Sequence, residues 1–310
     1  MKNVKAFAPA SYSNLSVGYD ILGLALGELG DTIEVVERSD SKIVIKEITG
    51  AAGLSKDIDK NCCGIVIQKM QQALGSDKGC DIYLHKGFKP GSGLGSSSAS
   101  SVAAAVAYNG LLDSPFEKED LIDFALEGEL IACGAKHADN VAPSLFGGLV
   151  MVRSYEPLDI LALPVPEGLF AVTVFPDVVV KTEESRKLVP QVVDIETLTK
   201  QVANMAAFVK ALYEEDYELF RNCLEDHIAE PGRKNLIPHF DEMKDIALSK
   251  GALNFGISGS GPTIFALVEN ESAANDICKT IVDLLNENGL QSTSLVEALK
   301  HTEGAYIIEK

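Results

Sequence analysis

The stretch KPGSGLGSSSASS, residues 89–101, combines three glycines with a run of serines. A glycine-rich turn that opens a helix usually binds phosphate, because a backbone without Cβ lets several N–H groups converge on one anion while the helix dipole adds positive potential. The spacing of Gly91, Gly93 and Gly95 fits neither the P-loop, G-x-x-x-x-G-K-[ST], nor the dinucleotide fingerprint, G-x-G-x-x-G. The stretch is therefore a candidate for a third kind of phosphate loop.

The serines that follow exceed what a helix terminus needs. Hydroxyl residues occupy four of the five positions 96–100, whereas one cap suffices. The excess favours ligands, namely hydroxyls that hydrogen-bond phosphate oxygens, with one of them on Mg²⁺, a cation that prefers oxygen. The alternative is a tight strand-to-helix turn in which the serines are caps.

Composition indicates a globular protein and argues against two classes of partner. With 310 residues, 46% of them hydrophobic, the chain can bury a substantial core and is expected to form two domains. The formal net charge of -18 opposes the phosphate contacts that a nucleic-acid partner would need. No apolar segment follows the N-terminal lysines, and no run approaches the roughly 18 apolar residues of a membrane span, so we expect a cytoplasmic protein without a membrane partner.

The cysteine and histidine patterns give no support to several common chemistries. The six cysteines include no C-x-x-C pair and no His/Cys cluster at zinc-ligand spacing, which predicts reduced thiols. H-E-x-x-H and G-x-S-x-G are both absent from the sequence, so zinc peptidase and serine hydrolase activities have no local support.

Apolar and polar residues alternate before the glycine loop, which predicts strands, whereas alanine-rich and capping signals after it predict helices. Ser39–Ser41 would turn the first two strands into a hairpin. The predicted elements are strands at 31–37, 42–48 and 80–86, a helix at 96–112, and a second helix that begins with the capping box SPFE, 114–117, and ends near Gly134.

The second half starts again with strands and contains a second glycine loop, GSGPT, 259–263. Pro164 and Pro166 mark the boundary, which gives domains 1–167 and 168–310, with the last strand free to return to the first domain. The predicted elements are strands at 169–175, 252–258, 264–269 and 305–309, helices at 195–228 and 239–250, and an amphipathic helix that stops at Gly289.

Six ordered stretches resemble the GHMP small-molecule kinases and cover nearly the whole chain. Three of them look like the family's three motifs: PASYSNLSVGYDILGLAL (9–26), PGSGLGSSSASS (90–101) and GISGSGPTIF (256–265). The other three most resemble the homoserine kinases within that family: KHADNVAPSLFGG (136–148), KTEESRKLVP (181–190) and EPGRKNLIPHFDE (230–242).

The resemblance implies an α+β fold with two domains. The N-terminal domain would be a ribosomal-protein-like α/β sandwich with a left-handed crossover, an exception to the usual handedness. The C-terminal domain would be ferredoxin-like, the active site would lie in the cleft between the two, and a homodimer is possible.

The resemblance also assigns the ligands of ATP and Mg²⁺. Ser97 matches the family's magnesium-binding hydroxyl and Glu129 its magnesium carboxylate, although from spacing alone Glu129 could equally be an exposed helical glutamate. Thr182 matches a threonine near the transferring phosphate. The matched ATP loop consists of Pro90, Gly91, Ser92, Gly93, Leu94, Gly95, Ser96, Ser97 and Ser98, and the glycine loop on the phosphate side contributes Gly259, Ser260 and Gly261.

A hydroxy amino acid such as L-homoserine carries a carboxylate and an ammonium, so its site needs a fork of donors and an acidic partner. Arg186 and Arg233 can supply the fork, because guanidinium binds carboxylate bidentately, although either could be a solvated surface residue. The matched substrate motifs also contain Asn14, Asp20, His137 and Asp139, and His137 could instead be a structural histidine.

Three functions are compatible with these residues. The first is phosphorylation of L-homoserine by ATP, a step of threonine biosynthesis, with Thr182, Asn140 and Arg186 at the reacting groups. Asn140 stands where mevalonate-type relatives carry an aspartate proposed as base, and an amide cannot accept the proton. The second is a GHMP kinase acting on an alcohol such as mevalonate or shikimate. The third is a regulator that binds nucleotide without turnover.

Overall fold

The first half of the chain forms a mixed sheet. The computed structural model describes residues 2–310, so the first residue of the predicted N-terminal domain lies outside the described residues. The strands are β1 (Asn3–Asn14), β2 (Gly18–Glu37), β3 (Ile43–Thr49), β4 (Cys80–His85), β5 (Leu149–Tyr155) and β6 (Leu158–Leu163). The order is β1-β2-β4-β3, and β5 joins the early half of β2 and pairs with β6.

Four helices pack with this sheet: α1 (Cys62–Leu74), α2 (Ser96–Leu111), α3 (Leu121–Cys133) and α4 (Ala138–Phe146). The sequence analysis predicted α2, and the structure shows why its small residues matter. Nearly every residue of α2 is buried, because alanine and serine let the helix approach β1, β2 and the neighbouring helices closely. The sequence analysis missed α1 and α4.

The predicted hairpin through Ser39–Ser41 is wrong. β3 pairs with β4 instead, in parallel, with Ile43 opposite Cys80. Parallel strands need a long crossover, and α1 provides it while burying its apolar face, including Val66, Ile67 and Met70. The hand of this crossover stays a prediction.

The predicted start of the second helix at SPFE, 114–117, is also wrong, because α3 begins at Leu121. The side chain of Asn109 binds both the backbone N–H and the carbonyl of Phe116, at 3.1 and 2.9 Å. Ser114 has a φ of 58°, so it lies in the left-handed region and not in the extended conformation of a cap. The end of α3 at Gly134, with a φ of 75°, is confirmed.

The second half forms a four-stranded antiparallel sheet. Its strands are β7 (Phe170–Pro176), β8 (Asn254–Ile257), β9 (Ile264–Val268) and β10 (Ser292–Ala298), in the order β10-β7-β9-β8. The helices are α5 (Thr182–Lys187), α6 (Ile195–Glu214), α7 (Tyr217–Cys223), α8 (Glu230–Arg233), α9 (Phe240–Ser249) and α10 (Glu271–Glu287). The order strand, helices, two strands, helix, strand is ferredoxin-like. The helix predicted at 195–228 is two helices, since Glu215 is left-handed and Asp216 caps α7.

The last strand of the chain returns to the first sheet, and the two sheets share an apolar core. The last strand, β11 (Tyr306–Glu309), pairs antiparallel with β1 in the first sheet. The predicted boundary after residue 167 falls in the connection between Leu163 and Phe170. Tyr12 of the first sheet stacks on Phe265 of the second, with ring centroids 4.9 Å apart, within one apolar cluster. Within residues 2–310, none of the helices is both long and apolar enough to cross a membrane.

Candidate active site

A cavity of about 410 Å³ opens between the N-terminus of α2 and the two glycine loops. All the site residues predicted from the sequence line it except Ser92, Leu94, Ser98 and Gly261. The structure therefore brings together residues that are far apart in the sequence, such as Asn14 and Gly259, which are 245 positions apart and share a hydrogen bond. The four exceptions belong to the two glycine loops and to the first turn of α2.

The first glycine loop is held tightly by the second. Gly91, Gly93 and Gly95 all have φ between 67° and 85°. A Cβ on Gly93 would lie 2.5 Å from the carbonyl oxygen of Ser258, whose hydroxyl donates to the Gly93 carbonyl at 2.7 Å. Glycine is needed at this position because the two loops approach each other so closely.

The N-terminus of α2 faces the cavity without a cap. Gly95 occupies the N-cap position, and in the described part of the chain no side chain accepts from the first turn. The serines are therefore not caps: Ser97 and Ser98 donate to Glu129, and the buried hydroxyl of Ser96 has no partner. Uncapped N–H groups at a helix N-terminus form an anion site.

Glu129 is the buried acceptor of three hydrogen bonds. Its carboxylate accepts from Ser97 Oγ at 2.6 Å, from Ser98 Oγ at 2.9 Å and from His137 Nδ1 at 2.9 Å. Burial alone would raise the pKa of Glu129, but these hydrogen bonds hold it below its usual value. With 3% of its surface exposed, Glu129 is not an exposed helical glutamate. The ionised carboxylate and the hydroxyl of Ser97 form an oxygen donor set that fits Mg²⁺.

Arg186 connects His137 to Asp20. One guanidinium nitrogen lies 2.7 Å from His137 Nε2 and 3.3 Å from Asp20 Oδ1. Because guanidinium can only donate, His137 Nε2 is the acceptor and its Nδ1 carries the proton that binds Glu129. Asn14 holds the other side of Asp20, since its side-chain oxygen accepts from the Asp20 N–H at 3.0 Å.

Asp139 is a buried carboxyl in the cavity wall without a direct cation partner. It is 1% exposed, and its side chain accepts only from Asn140 Nδ2, at 3.4 Å, among the described residues. Burial, and then the charge of Asp20, raise the pKa of Asp139 to about 7. A cationic group placed in the cavity beside Asp20 and Asp139 would relieve this repulsion.

Arg233 is a buried cation that pairs with no acid among residues 2–310 within 4.0 Å. It donates to the Gly259 carbonyl at 2.8 Å and lies over the Tyr19 ring at 5.1 Å, while its Nε has no partner. Burial lowers the pKa of Arg233, because the charged form loses hydration. An unpaired donor and an uncompensated charge at a cavity wall indicate an anionic ligand.

Thr182 and Asn140 complete the wall. The hydroxyl of Thr182 lies 3.4 Å from the hydroxyl of Ser260. Thr182 is the first residue of α5, the helix that also carries Arg186. Asn140 accepts from Ser11 Oγ at 3.1 Å, so its amide is fixed beside Asp139.

Comparison with known proteins shows the family to which this chain belongs. The family model for the GHMP kinases N-terminal domain matches residues 61–148, and the model for the GHMP kinases C-terminal domain matches residues 208–289. A homoserine kinase of Chlorobaculum tepidum is 38% identical to the chain over 99% of each sequence. The chain belongs to the GHMP kinase family. Another relative of this GHMP kinase, a homoserine kinase of Chloroherpeton thalassium, is 41% identical over 91% of this chain and 92% of the other. A crystal structure of homoserine kinase from Cytophaga hutchinsonii superposes with a TM-score of 0.95 at 40% identity, covering 99% of this chain and 98% of the other.

The sequence analysis missed a buried ion pair at the end of the first glycine loop of this GHMP kinase. Lys86 donates to the Asp31 carboxylate, to the Ser96 carbonyl at 2.8 Å and to Ser100 Oγ at 2.9 Å. Lys86 therefore stabilises the N-terminal part of α2. Strand patterning could not reveal this pair, because the two residues are 55 positions apart.

Proposed function

We propose that this GHMP kinase transfers the γ-phosphoryl group of ATP to the side-chain hydroxyl of L-homoserine. The observation that carries the proposal is the pair of opposite charges left without direct partners in one cavity, the guanidinium of Arg233 and the carboxyl of Asp139. A zwitterionic amino acid supplies a partner to both. Mevalonate and shikimate carry a carboxylate but no ammonium, so they would leave Asp20 and Asp139 to repel each other.

The carboxylate of the substrate would bind Arg233, whose unpaired Nε is the free arm of a bidentate fork. Arg186 is the second donor of the fork. The ammonium would bind Asp20 and Asp139, which lowers the pKa of Asp139, so substrate binding should release a proton near neutral pH.

ATP would lie along the two glycine loops, with its phosphates on the uncapped first turn of α2. Ser97 and Glu129 would hold Mg²⁺ through oxygen atoms. The ion supplies charge neutralisation to the phosphates when it is bound. The hydrogen bonds from Ser98 and His137 keep Glu129 ionised and oriented for this role, against the effect of burial.

The residues of this chain can promote transfer without a general base. The Asn140 amide cannot take the proton of the hydroxyl, and a loose phosphoryl-transfer transition state makes little demand for its removal. Thr182 and Arg186 are four residues apart on α5, so both face the cavity from one side. They would position the transferring group and offset its charge.

The test is a coupled ADP-release assay with L-homoserine, L-serine, mevalonate and shikimate as acceptors. The proposal predicts the highest kcat/KM for L-homoserine, because L-serine is one methylene shorter and the other two lack the ammonium. Preferred turnover of mevalonate or shikimate would make the chain a different GHMP kinase, and ATP binding without turnover of any acceptor would make it a regulator. A cytoplasmic location and a homodimer complete the proposal and are checked by cell fractionation and sedimentation.

A further inference from the structure

Three metal-ligating side chains of different chemistry converge at the C-terminal end of α3. The carboxylate of Glu129, the thiol of Cys133 and a ring nitrogen of His137 have ligand atoms that all lie within 4.8 Å of one another. Glu129 and Cys133 are four residues apart, so they share a helix face. Gly134 then ends α3, and the chain turns back to place His137 on Glu129.

The sequence analysis found no His/Cys cluster at zinc-ligand spacing, and the fold nevertheless brings these three residues together. The sequence shows no zinc-type spacing because one ligand is a glutamate on the helix and another follows the helix terminus. Cys133 has no role in the proposed binding of ATP or Mg²⁺, yet it lines the same cavity and lies 3.4 Å from Ser97 Oγ.

The ligand set favours a different cation from the one that the kinase needs. Mg²⁺ takes oxygen ligands, whereas a sulfur, a nitrogen and an oxygen are the ligands of a thiophilic ion such as Zn²⁺. We propose that Glu129, Cys133 and His137 form an inhibitory site for a thiophilic divalent cation of the zinc class. An ion at this site occupies Glu129, so it excludes Mg²⁺ from the same carboxylate. The binding site stands on geometry alone, and its inhibitory effect rests on the proposed function.

The distances suit a four-coordinate ion after a small closure. Ligand atoms around tetrahedral zinc stand roughly 3.3 to 3.8 Å apart, given bonds of about 2.0 to 2.3 Å. The longest separation, at most 4.8 Å, therefore has to shorten by about 1 to 1.5 Å, a movement of the scale that a rotation of the Cys133 side chain gives, whereas His137 Nδ1 and Glu129 Oε1, now 2.9 Å apart, have to separate slightly. Ser97 Oγ or a water can complete the coordination, and the thiol loses its proton to solvent on binding.

Binding would also change the position of Arg186. An ion on His137 Nδ1 displaces the proton that now bonds Glu129, and a neutral ring then carries its proton on Nε2. Nε2 is the atom that accepts from Arg186 at 2.7 Å, so the Arg186–His137 hydrogen bond breaks. A thiophilic ion would thus disturb both the metal carboxylate and a substrate arginine.

The first test uses Co²⁺ as a spectroscopic probe and needs no turnover. Wild type should bind one equivalent of Co²⁺ with a thiolate-to-cobalt charge-transfer band that Zn²⁺ abolishes by displacement. Cys133→Ser and Cys133→Ala should lack the band. Both variants should fold, because Cys133 is only partly buried at the end of a helix, and the second variant serves if the first does not fold. Cys62→Ser, in the same cavity, and Cys278→Ser, on α10, should keep it.

The second test measures inhibition of ADP release by Zn²⁺ at saturating Mg²⁺. Losing even an outer partner of a metal ligand weakens metal binding about 10- to 100-fold, so losing the thiolate should raise the half-inhibitory Zn²⁺ concentration at least about tenfold in Cys133→Ser. Cys278→Ser should behave as wild type.

The two tests separate the site from the proposed function. Absence of the charge-transfer band in wild type, or an unchanged band in both Cys133 variants, overturns the site even if L-homoserine is phosphorylated. Equal Zn²⁺ sensitivity of wild type and Cys133→Ser overturns the inhibitory role. A band that depends on Cys133 in a protein that does not phosphorylate L-homoserine supports the site and refutes only the proposed function.

Discussion

Replacing Arg233 by leucine should separate substrate binding from stability. Arg233 is 4% exposed, its Nε has no partner, and its charge faces the cavity. If it binds the substrate carboxylate, Arg233→Leu removes one side of a desolvated charge pair, which costs about 2 to 4 kcal/mol. That cost corresponds to a fall in kcat/KM for L-homoserine of about 30- to 900-fold, with the KM for ATP little changed.

The unfolding free energy should change by no more than about 1 kcal/mol in the same variant, because leucine removes a buried charge that has no counter-ion. The Gly259 carbonyl keeps its second donor, Asn14 Nδ2, at 3.1 Å. Steady-state kinetics and urea unfolding measure the two quantities. The matched control is Arg221→Leu, because Arg221 is half exposed on α7 and pairs with Glu269 at 3.8 Å, outside the cavity lining.

The methyl ester of L-homoserine provides the decisive comparison, because it keeps the hydroxyl and the ammonium but has no charged carboxylate. Wild type and Arg221→Leu should discriminate strongly against the ester, and Arg233→Leu should discriminate much less. An Arg233→Leu enzyme that keeps the wild-type preference for the free acid would refute the assignment of Arg233 to the carboxylate.

Three further variants test other parts of the site. Glu129→Gln should raise the Mg²⁺ concentration for half-maximal turnover at least about tenfold without unfolding the protein, and an unchanged requirement would remove Glu129 from the metal site. The pKa of Asp139 rises from 3.8 to about 7 on folding, so its ionisation should lower the unfolding free energy of wild type as the pH rises across that interval. Asp139→Asn should lack this decline. If the unfolding free energy of wild type instead increased relative to that of Asp139→Asn as the pH rose, the assignment would be contradicted. Gly93→Ala should cost roughly 1 to 3 kcal/mol more unfolding free energy than Gly91→Ala, because a Cβ meets a carbonyl at 2.5 Å at Gly93 and open space at Gly91. Equal denaturation midpoints would show that the loops do not approach as described.

Local signals in the sequence predicted the glycine loops and the helices next to them. Gly95 followed by small residues predicted the start of α2, and Gly134 predicted the end of α3, since each depends on a few adjacent residues. The capping box at Ser114 failed because Asn109 binds the backbone of Phe116 and holds the segment in a turn. The side chain of Asn109, seven residues before Phe116, thus determines the backbone conformation of this segment, and the capping-box pattern does not include Asn109.

Pairings between distant segments could not be predicted from patterning. The alternation in 42–48 indicates a strand but not its partner. The long crossover through α1 allows this strand to pair in parallel with β4. The Lys86–Asp31 pair and the gathering of Cys133 with His137 have no repeating signature either. The family resemblance supplied the site residues because it carries information about three-dimensional contacts that a single sequence does not display.

The most direct test of the central claim is to identify the product formed from L-homoserine and ATP with Mg²⁺ by phosphorus and proton nuclear magnetic resonance. The account predicts one phosphomonoester on the side-chain oxygen, coupled to the adjacent methylene protons, for each ADP released. Release of ADP and free phosphate without this ester, or phosphate on the carboxyl group, would contradict it.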